Sequence, residues 1–342
     1  MKKYIYIFII FLSIIKESIL FAQDIHYSQW YNSILNLNSA STGFINDGDF
    51  RFSGNLKNQW QSIPVPYNST TITAEKKVIL QSLRKDFMGM GATMNFDQSG
   101  DARFKTFQFN FNAAFHKSIS EDSSAFLSFG IQPGLVSKSL NYNRLTFDNQ
   151  YRGDNFDPSF SNGESFPTEQ LSYFDFGSGI GLTKKITNRN IFSIGLSASH
   201  LNKPKQSFFN NSGVRLDRKI VGNIRYSFKV HDKIDLISHL LYAQQGEYKE
   251  LIPGLRSRYY LTPVNGFSTA LYLGILLRNK DALIATTGMD YYNFHVELSY
   301  DVNFSGLIPA SNYRGGFELS VIYIFKKLRP FVAKKRVCPI YM

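Results

Sequence analysis

The chain has 342 residues, a net charge of +12 and an ordinary apolar share of 43%. Beyond the N-terminus there is no run of about 18 apolar residues, which excludes a membrane-spanning helix from the rest of the chain. Aromatic residues are abundant, with 31 Phe and 20 Tyr, as expected for the lipid face and interfacial girdles of a membrane β-barrel. A soluble β-sandwich with an aromatic core is the alternative, although its strands are usually shorter.

The first 22 residues read as a secretory signal peptide. Lys2 and Lys3 give the positive start, an apolar run follows from Tyr4 to Ile15, and Ala22 offers a small residue before a cleavage site. The mature chain is therefore expected to begin at Gln23.

Residues 23–48 form an N-terminal segment that is not strand-like. Trp30, Ile34 and Leu37 predict one short amphipathic turn of helix, followed by a Ser/Thr/Gly stretch. Because this segment has an apolar face and precedes the first strand, it is a candidate plug for a barrel lumen.

Residues 49–325 carry the pattern of a membrane barrel. In the clearest stretch Phe107, Phe109 and Phe111 alternate with Gln108 and Asn110, and such alternation gives a strand one apolar and one polar face. A tilted strand of about 9–11 residues spans a bilayer. The fold prediction is all-β, a transmembrane antiparallel β-barrel of about fourteen strands near 50–60, 69–76, 88–97, 102–116, 123–135, 172–185, 191–201, 217–229, 234–247, 250–260, 267–278, 281–291, 293–303 and 314–325.

The connections predict an orientation. Short turns fall mostly on one side, and longer connections such as 61–68, 202–216 and 304–313 fall on the other. Outer-membrane barrels have short periplasmic turns and longer external loops, so the N- and C-termini are both expected to be periplasmic. The longest break, 136–171, is expected to be partly external loop and partly strand extension.

A basic tail occupies residues 326–342. It contains six Lys and Arg residues. It also contains the single cysteine of the chain, Cys338, which we interpret as a free thiol because one cysteine provides no disulfide framework. We interpret the tail as facing an anionic partner. Nucleic acid is not expected to be that partner, because the chain has a signal peptide and no nucleic-acid motif.

No constellation for catalysis or metal binding is present in the sequence. The six histidines show no HExxH spacing, and no Gly-x-Ser-x-Gly motif occurs. Asp148, Asp154 and Asp157 have the wrong spacing for a calcium loop. His116 and His295 fall on polar ladder positions, which predicts luminal hydrogen bonding. We therefore expect no enzyme, no cofactor and no metal.

Several acidic residues fall on the polar ladder and are predicted to face the lumen. They either line a pore or pair with cations such as Lys57 and Arg278, which would close the lumen. These acidic residues are Asp175, Glu297, Asp301 and Glu318.

Blocks spread along the whole mature chain resemble one known family. They include Gln23–Tyr31, Asn55–Trp60, Leu145–Tyr151, His200–Pro204, Gln244–Gly246, Leu298–Asn303, Gly316–Ser320 and Arg336–Pro339. Together and in this order they resemble the PorP/SprF proteins, outer-membrane components of the type IX secretion system of gliding and related bacteria.

The resemblance implies an outer-membrane protein that supports secretion or surface attachment of a large partner, such as an adhesin, and contacts periplasmic secretion components. A channel for small solutes is the alternative. Apart from membrane lipid, the expected partners are proteins. The candidate partner-contact residues are Trp30, Tyr31, Lys334, Lys335, Arg336 and Cys338.

Overall fold

A computed structural model gives the conformation of most of the chain. It describes residues 24–46, 48–59, 66–83, 85–100, 102–153, 155–164, 167–209, 211, 213–262, 269–305 and 313–325. The signal peptide and the basic tail lie outside the described residues. No helix among the described residues is both long and apolar enough to cross a bilayer.

The described residues form sixteen strands. In chain order, β1 to β16 are Phe50–Gln59, Tyr67–Val78, Phe87–Ser99, Phe104–Ser118, Ala125–Ser139, Tyr151–Arg152, Asn155–Phe156, Gln170–Lys185, Ile191–Ser199, Lys219–His231, Ile234–Gln245, Tyr248–Tyr260, Ala270–Arg278, Ala282–Tyr291, Phe294–Asn303 and Arg314–Phe325. The helical elements are α1, Ile34–Leu37, and four 3-10 turns, Ser39–Ser41, Gln81–Leu83, Tyr142–Arg144 and Asp148–Gln150.

All strands except β6 and β7 belong to one closed antiparallel barrel of fourteen strands. Closure joins β1 to β16, with Phe50 opposite Phe325 and Gln59 opposite Gly316. A closed barrel leaves no strand edge, so every strand has a partner on both sides for its backbone groups, which lipid requires. The predicted fold class, strand number and pairing are confirmed.

The outer wall carries the apolar ladders. Phe107, Phe111 and Phe115 expose 39, 44 and 37% of their surface, whereas His116 is fully buried on the inner face. The exposed aromatic and aliphatic side chains of the other strands continue this belt around the barrel. The belt therefore matches the hydrocarbon of a bilayer.

The two ends of the barrel differ. We call the end of the barrel where β1 begins at Phe50 and β16 ends at Phe325 the closing end. The opposite end is called the loop end. The loop end carries the longest connections, 140–169 and 200–218. As predicted, the 136–171 break is part strand extension and part loop, but the short β6–β7 ribbon within it was not predicted.

The N-terminal segment does not begin at the closing end, and the periplasmic position of the two termini stays a prediction. The barrel's first and last strands do meet at the closing end, yet residues 24–46 turn back into the lumen. The backbone N–H of Asp24 donates to Gln245, the last residue of β11 at the loop end. Residues 24 and 325 therefore lie at opposite ends of the barrel, because the N-terminal segment runs the full length of the lumen.

Candidate functional site in the lumen

The N-terminal segment, residues 24–46, contacts the inner wall from one end of the barrel to the other. Asp24 lies at the loop-end rim, and α1 and the following 3-10 turn lie deeper. Farther along, Phe44 packs on Phe87, close to where β3 begins at the closing end. A continuous chain thus occupies the length of the lumen.

One side of the segment is held by an acidic wall, which we define as Glu297, Asp301 and Glu318 on β15 and β16. The backbone N–H groups of Ser28 and Gln29 donate to the two carboxylate oxygens of Glu318, at 2.8 and 3.1 Å. The hydroxyl of Ser28 donates to Asp301 Oδ2 at 2.6 Å. Each carboxylate is buried, and hydrogen bonds to charged groups of this kind contribute about 1.5–3 kcal/mol.

Glu297 holds the next residues of the segment. Its Oε1 accepts from the hydroxyl of Tyr31 at 2.8 Å, and its Oε2 accepts from the side-chain amide of Asn32 at 2.9 Å. Arg256 Nη2 lies 2.6 Å from the same Oε2 and neutralises it. The segment is thereby tied to an ion pair that the barrel already contains.

Two arginines supply the counter-charge for this wall. Arg278 pairs with Asp301 at 3.1 Å and with Glu250 at 3.0 Å, and its Nη2 donates to the hydroxyl of Ser28 at 2.7 Å. Lys57 instead donates to the backbone carbonyl of His26 at 3.1 Å. The predicted pairing of luminal acids with Arg278 is confirmed, whereas the hydrogen bond of Lys57 is with the segment.

Apolar contacts add to the polar ones. Trp30 and Tyr31, each about 5% exposed, pack in a cluster with Ile252, Leu276 and Ile284 of the wall. Burying a large apolar side chain is worth roughly 1.5–3 kcal/mol. Both rings also lie against His239, with centroid distances of 5.5 and 4.6 Å.

The opposite side of the lumen is a glycine wall, which we define as the inward glycines 89, 91, 130, 179 and 195. A Cβ atom on Gly89 would overlap the backbone of Thr42, and one on Gly130 would overlap the backbone of Ser39. A Cβ atom on Gly179 would overlap the side chain of Asn38. The backbone of the segment therefore approaches this wall more closely than any other residue type permits.

Polar contacts also fix the segment along the glycine wall. Asn38 Nδ2 donates to the Ile180 carbonyl at 3.0 Å, and Ser197 donates to the Leu37 carbonyl at 2.7 Å. Near the closing end His116 Nε2 lies 2.8 Å from the Thr42 carbonyl oxygen. The hydrogen bonds of His116, and those of His295 to Asp290 and Glu297, confirm the luminal hydrogen-bonding role predicted for both histidines.

At the loop end a rim cluster, Asp24, Asp175, His200 and Lys219, holds the start of the segment. His200 Nε2 lies 2.6 Å from Asp24 Oδ2, and its Nδ1 lies 2.9 Å from Asp175 Oδ2. Burial disfavours a charged imidazole, but the two carboxylates more than offset it and raise the pKa of His200 to about 9. Burial likewise opposes ionisation of Asp24, yet the charge of His200 lowers its pKa. The cluster therefore contains a charged histidine at neutral pH.

The structure brings only part of the predicted site together. Trp30 and Tyr31 lie inside the lumen, where their contacts are with the barrel wall, and their role in partner contact stays a prediction. Lys334, Lys335, Arg336 and Cys338 lie outside the described residues. The glycine wall and His239 were missed, although the alternation in β8 already placed Gly177, Gly179 and Gly181 on the inner face.

A family profile decides the identity of the chain. It describes a type IX secretion system membrane protein, PorP/SprF, and matches residues 19–323. The chain belongs to the PorP/SprF family. It is accordingly an outer-membrane component of the type IX secretion system, as its resemblance to the family had indicated.

Solved structures similar to this PorP/SprF protein share its fold at low sequence identity. A mutant of the TodX monoaromatic hydrocarbon channel has a TM-score of 0.50 at 10% identity, covering 85% of this chain and 93% of that one. A FadL homologue from Pseudomonas aeruginosa has a TM-score of 0.47 at 10% identity, covering 84% and 93%. No curated protein sequence matches the chain. These likenesses describe a barrel and no more.

No three His, Cys, Asp or Glu side chains among the described residues come together in a way that suits a metal ion.

Proposed function

We propose that this PorP/SprF protein is a non-enzymatic docking platform for one large secreted surface protein, such as an adhesin. In this proposal the barrel anchors the platform in lipid and the loop end holds the partner. The basic tail contacts periplasmic secretion components. The observation that supports it best is the N-terminal segment, which fills the length of the lumen and leaves the loops as the exposed recognition surface.

The loop end offers a basic surface for such a partner. Lys203, Lys205, Arg215 and Arg218 are all exposed there. Lys205 pairs with Arg215 in an isolated β-bridge, which places two cations side by side. Like charges directly opposite each other destabilise a strand pair, so this arrangement favours an acidic surface on the partner.

Apolar groups accompany these cations at the same end. Val214 exposes 47% of its surface and Tyr151 exposes 56%. Aromatic residues and arginines are both enriched at protein interfaces. The loop surface thus combines charge for orientation with apolar groups for affinity.

Affinity purification of the full chain from its native membranes tests the proposal. We expect one very large exported protein and periplasmic secretion components to be recovered with the barrel. Replacing Lys203, Lys205 and Arg215 with Ser should remove the exported protein. The matched control replaces Lys184 and Lys185, two exposed cations at the closing end. Recovery of neither class of partner contradicts the proposal, and an adhesin gene beside this one would support it.

The proposal also assigns an orientation, with the loop end outside the cell. The mature N-terminus would then reach the cell surface through the lumen, while the tail stays in the periplasm. An impermeant maleimide should label Asn211→Cys on intact cells in a C338S background. It should not label Glu121→Cys, an exposed residue at the closing end. The reverse labelling pattern would invert the orientation.

A channel for small solutes is the second candidate. It would require the segment to leave the lumen or to leave a path beside it. In planar bilayers we expect the intact protein to conduct little and a variant lacking residues 24–43 to conduct strongly. Equal conductance of the two proteins would contradict the plug, and a steady conductance of the intact protein would favour the channel.

A further inference from the structure

Arg225 on β10 is an unusual inward residue. Its neighbours in alternation, Val221 and Ser227, are buried on the inner face, and Ile220 is exposed on the outer one. Arg225 therefore faces the lumen, and yet it is exposed. The lumen beside it must contain space that water can reach.

Arg225 also lacks the counter-ion that the neighbouring arginines have. Arg51 pairs with Glu75, Arg256 pairs with Glu297, and Arg258 pairs with Asp235. These three arginines are the cations whose charge acts on Arg225. Arg225 itself makes no hydrogen bond or ion pair with any described residue. The inner face of β10 therefore carries a positive charge that has no counter-ion among the described residues.

Buried polar atoms without partners, most of them donors, lie next to it. His239 stands directly opposite Arg225 in the β10–β11 pairing, on the same face. His239 is 4% exposed, and neither of its ring nitrogens has a hydrogen-bond partner among the described residues. The same is true of Trp30 Nε1, whose ring contacts His239, and of Arg256 Nε. An unpaired buried polar group costs about 1–3 kcal/mol, so four such atoms together indicate an occupant.

The chemistry of that occupant follows from the groups that face it. A guanidinium, an indole N–H and an imidazole N–H all donate, and Arg presents its donors in a planar fork that matches an oxyanion. The carboxylates nearby, Glu297 and Asp235, are already neutralised by their own arginines. Neither is left to repel an incoming negative group.

We propose that Arg225, His239 and Trp30 form a luminal site for a carboxylate or phosphate group. The site lies between the N-terminal segment and β10–β11, and it is separate from the basic surface at the loop end. An oxyanion bound there would neutralise Arg225 and hydrogen-bond the buried donors of the segment and of the wall at once. It would therefore stabilise the segment in its luminal position.

Trp30 is itself the probe for the experiment. The chain has two tryptophans, Trp30 and Trp60, so W60F leaves Trp30 as the sole tryptophan. Purified full-length protein in detergent is titrated at constant ionic strength with glutarate, inorganic phosphate or a tetra-aspartate peptide. We expect a saturable change in Trp30 emission with at least one of the three.

Variants locate the response. Arg225→Gln should weaken the apparent affinity at least tenfold, and Arg225→Lys, which keeps the charge but loses the fork, should weaken it less. Lys184→Gln, which removes an exposed cation at the closing end, is the control and should leave the titration unchanged. Folding of each variant is checked by its migration in an unheated gel.

The outcomes separate the sources of the anion. A response to glutarate or phosphate supports a site for small oxyanions, and a response to the peptide alone supports one that binds acidic side chains of another chain. No saturable response to any probe overturns the proposal. An unchanged titration of a folded Arg225→Gln variant overturns it as well.

Discussion

The two walls that hold the N-terminal segment use different physics. The acidic wall binds residues 28–32 through directed, charge-assisted hydrogen bonds to Glu297, Asp301 and Glu318. The glycine wall receives residues 38–43 mainly by shape. The segment's backbone at Gly89 and Gly130, and the Asn38 side chain at Gly179, lie too close for a Cβ atom. The acidic wall is therefore weakened when a carboxylate is removed, and the glycine wall is weakened when a methyl group is added.

This difference indicates how the segment reaches a single position. A charged hydrogen bond fixes residues along the barrel axis, since the donor and the carboxylate must meet within about 3 Å. A groove of glycines sets the distance between the segment and the wall, but it does not select which residue of the segment lies there. The acidic wall thus sets the register of the segment, and the glycine wall sets its path.

The largest expected effect follows from removal of the Glu297 carboxylate. Glu297→Ala leaves Arg256 buried without its counter-ion and removes the acceptor of Tyr31 and Asn32. Breaking a buried pair in this way lowers the free energy of unfolding by about 3–5 kcal/mol. The expected result is a lower midpoint of urea unfolding.

The double variant Glu297→Leu with Arg256→Met is the decisive control. Removing both charges should recover much of the lost stability, because no buried charge is then left unpaired. Glu169→Ala, which alters an exposed carboxylate in the long loop, should have no effect. If the double variant is as unstable as the single one, the ion pair is not what Glu297 contributes.

A smaller effect is expected at the glycine wall. Gly130→Ala adds one methyl group that would overlap the Ser39 backbone, whereas Gly54→Ala adds it where nothing lies within 4 Å. Overpacking of this kind costs about 1–3 kcal/mol. The fraction of molecules in which residues 38–43 have left the wall should therefore rise roughly tenfold or more.

Thiol exchange at Ala40→Cys in a C338S background measures this opening, because Ala40 is 2% exposed in the lumen. The labelling rate should rise in Gly130→Ala and stay unchanged in Gly54→Ala. Equal rates in the two variants would show that the glycine wall does not confine the segment.

The barrel was predictable from sequence and the content of its lumen was not. Strand alternation is a local signal, so Phe107, Phe109 and Phe111 sufficed to orient a strand and to assign its lipid face. The contact between Ser28 and Glu318 joins residues 290 positions apart, and no local pattern specifies it. The path of the segment, and hence the end at which Asp24 lies, depends on such contacts.

Part of the luminal site nevertheless had a local signal. Three successive inward positions of β8 are Gly177, Gly179 and Gly181, although glycine weakens a strand interior. A row of inward glycines is expected where another backbone packs closely on the strand. Arg225 and His239 gave no comparable signal, because their lack of partners becomes visible only when the closed barrel is complete.

The smallest expected effect concerns the rim cluster, where the Asp24 side chain is already 27% exposed and solvent screens the pair. The pKa of His200 is raised from 6.5 to about 9 by Asp24 and Asp175, against the effect of burial. Its contribution is therefore complete below about pH 6.5 and is lost as the pH rises through about 9. Lys219, 4.0 Å from Asp24, keeps part of the attraction at high pH.

A nitroxide at Ile25→Cys in a C338S background reports this change without titrating itself. The mobile fraction of the label should grow with a midpoint near pH 9, and His200→Gln should remove that pH dependence. A label at Ile119→Cys, on an exposed turn at the closing end, should show no transition. A transition that persists in His200→Gln would assign the pH dependence to another group and leave the acidic and glycine walls as the parts that hold the segment.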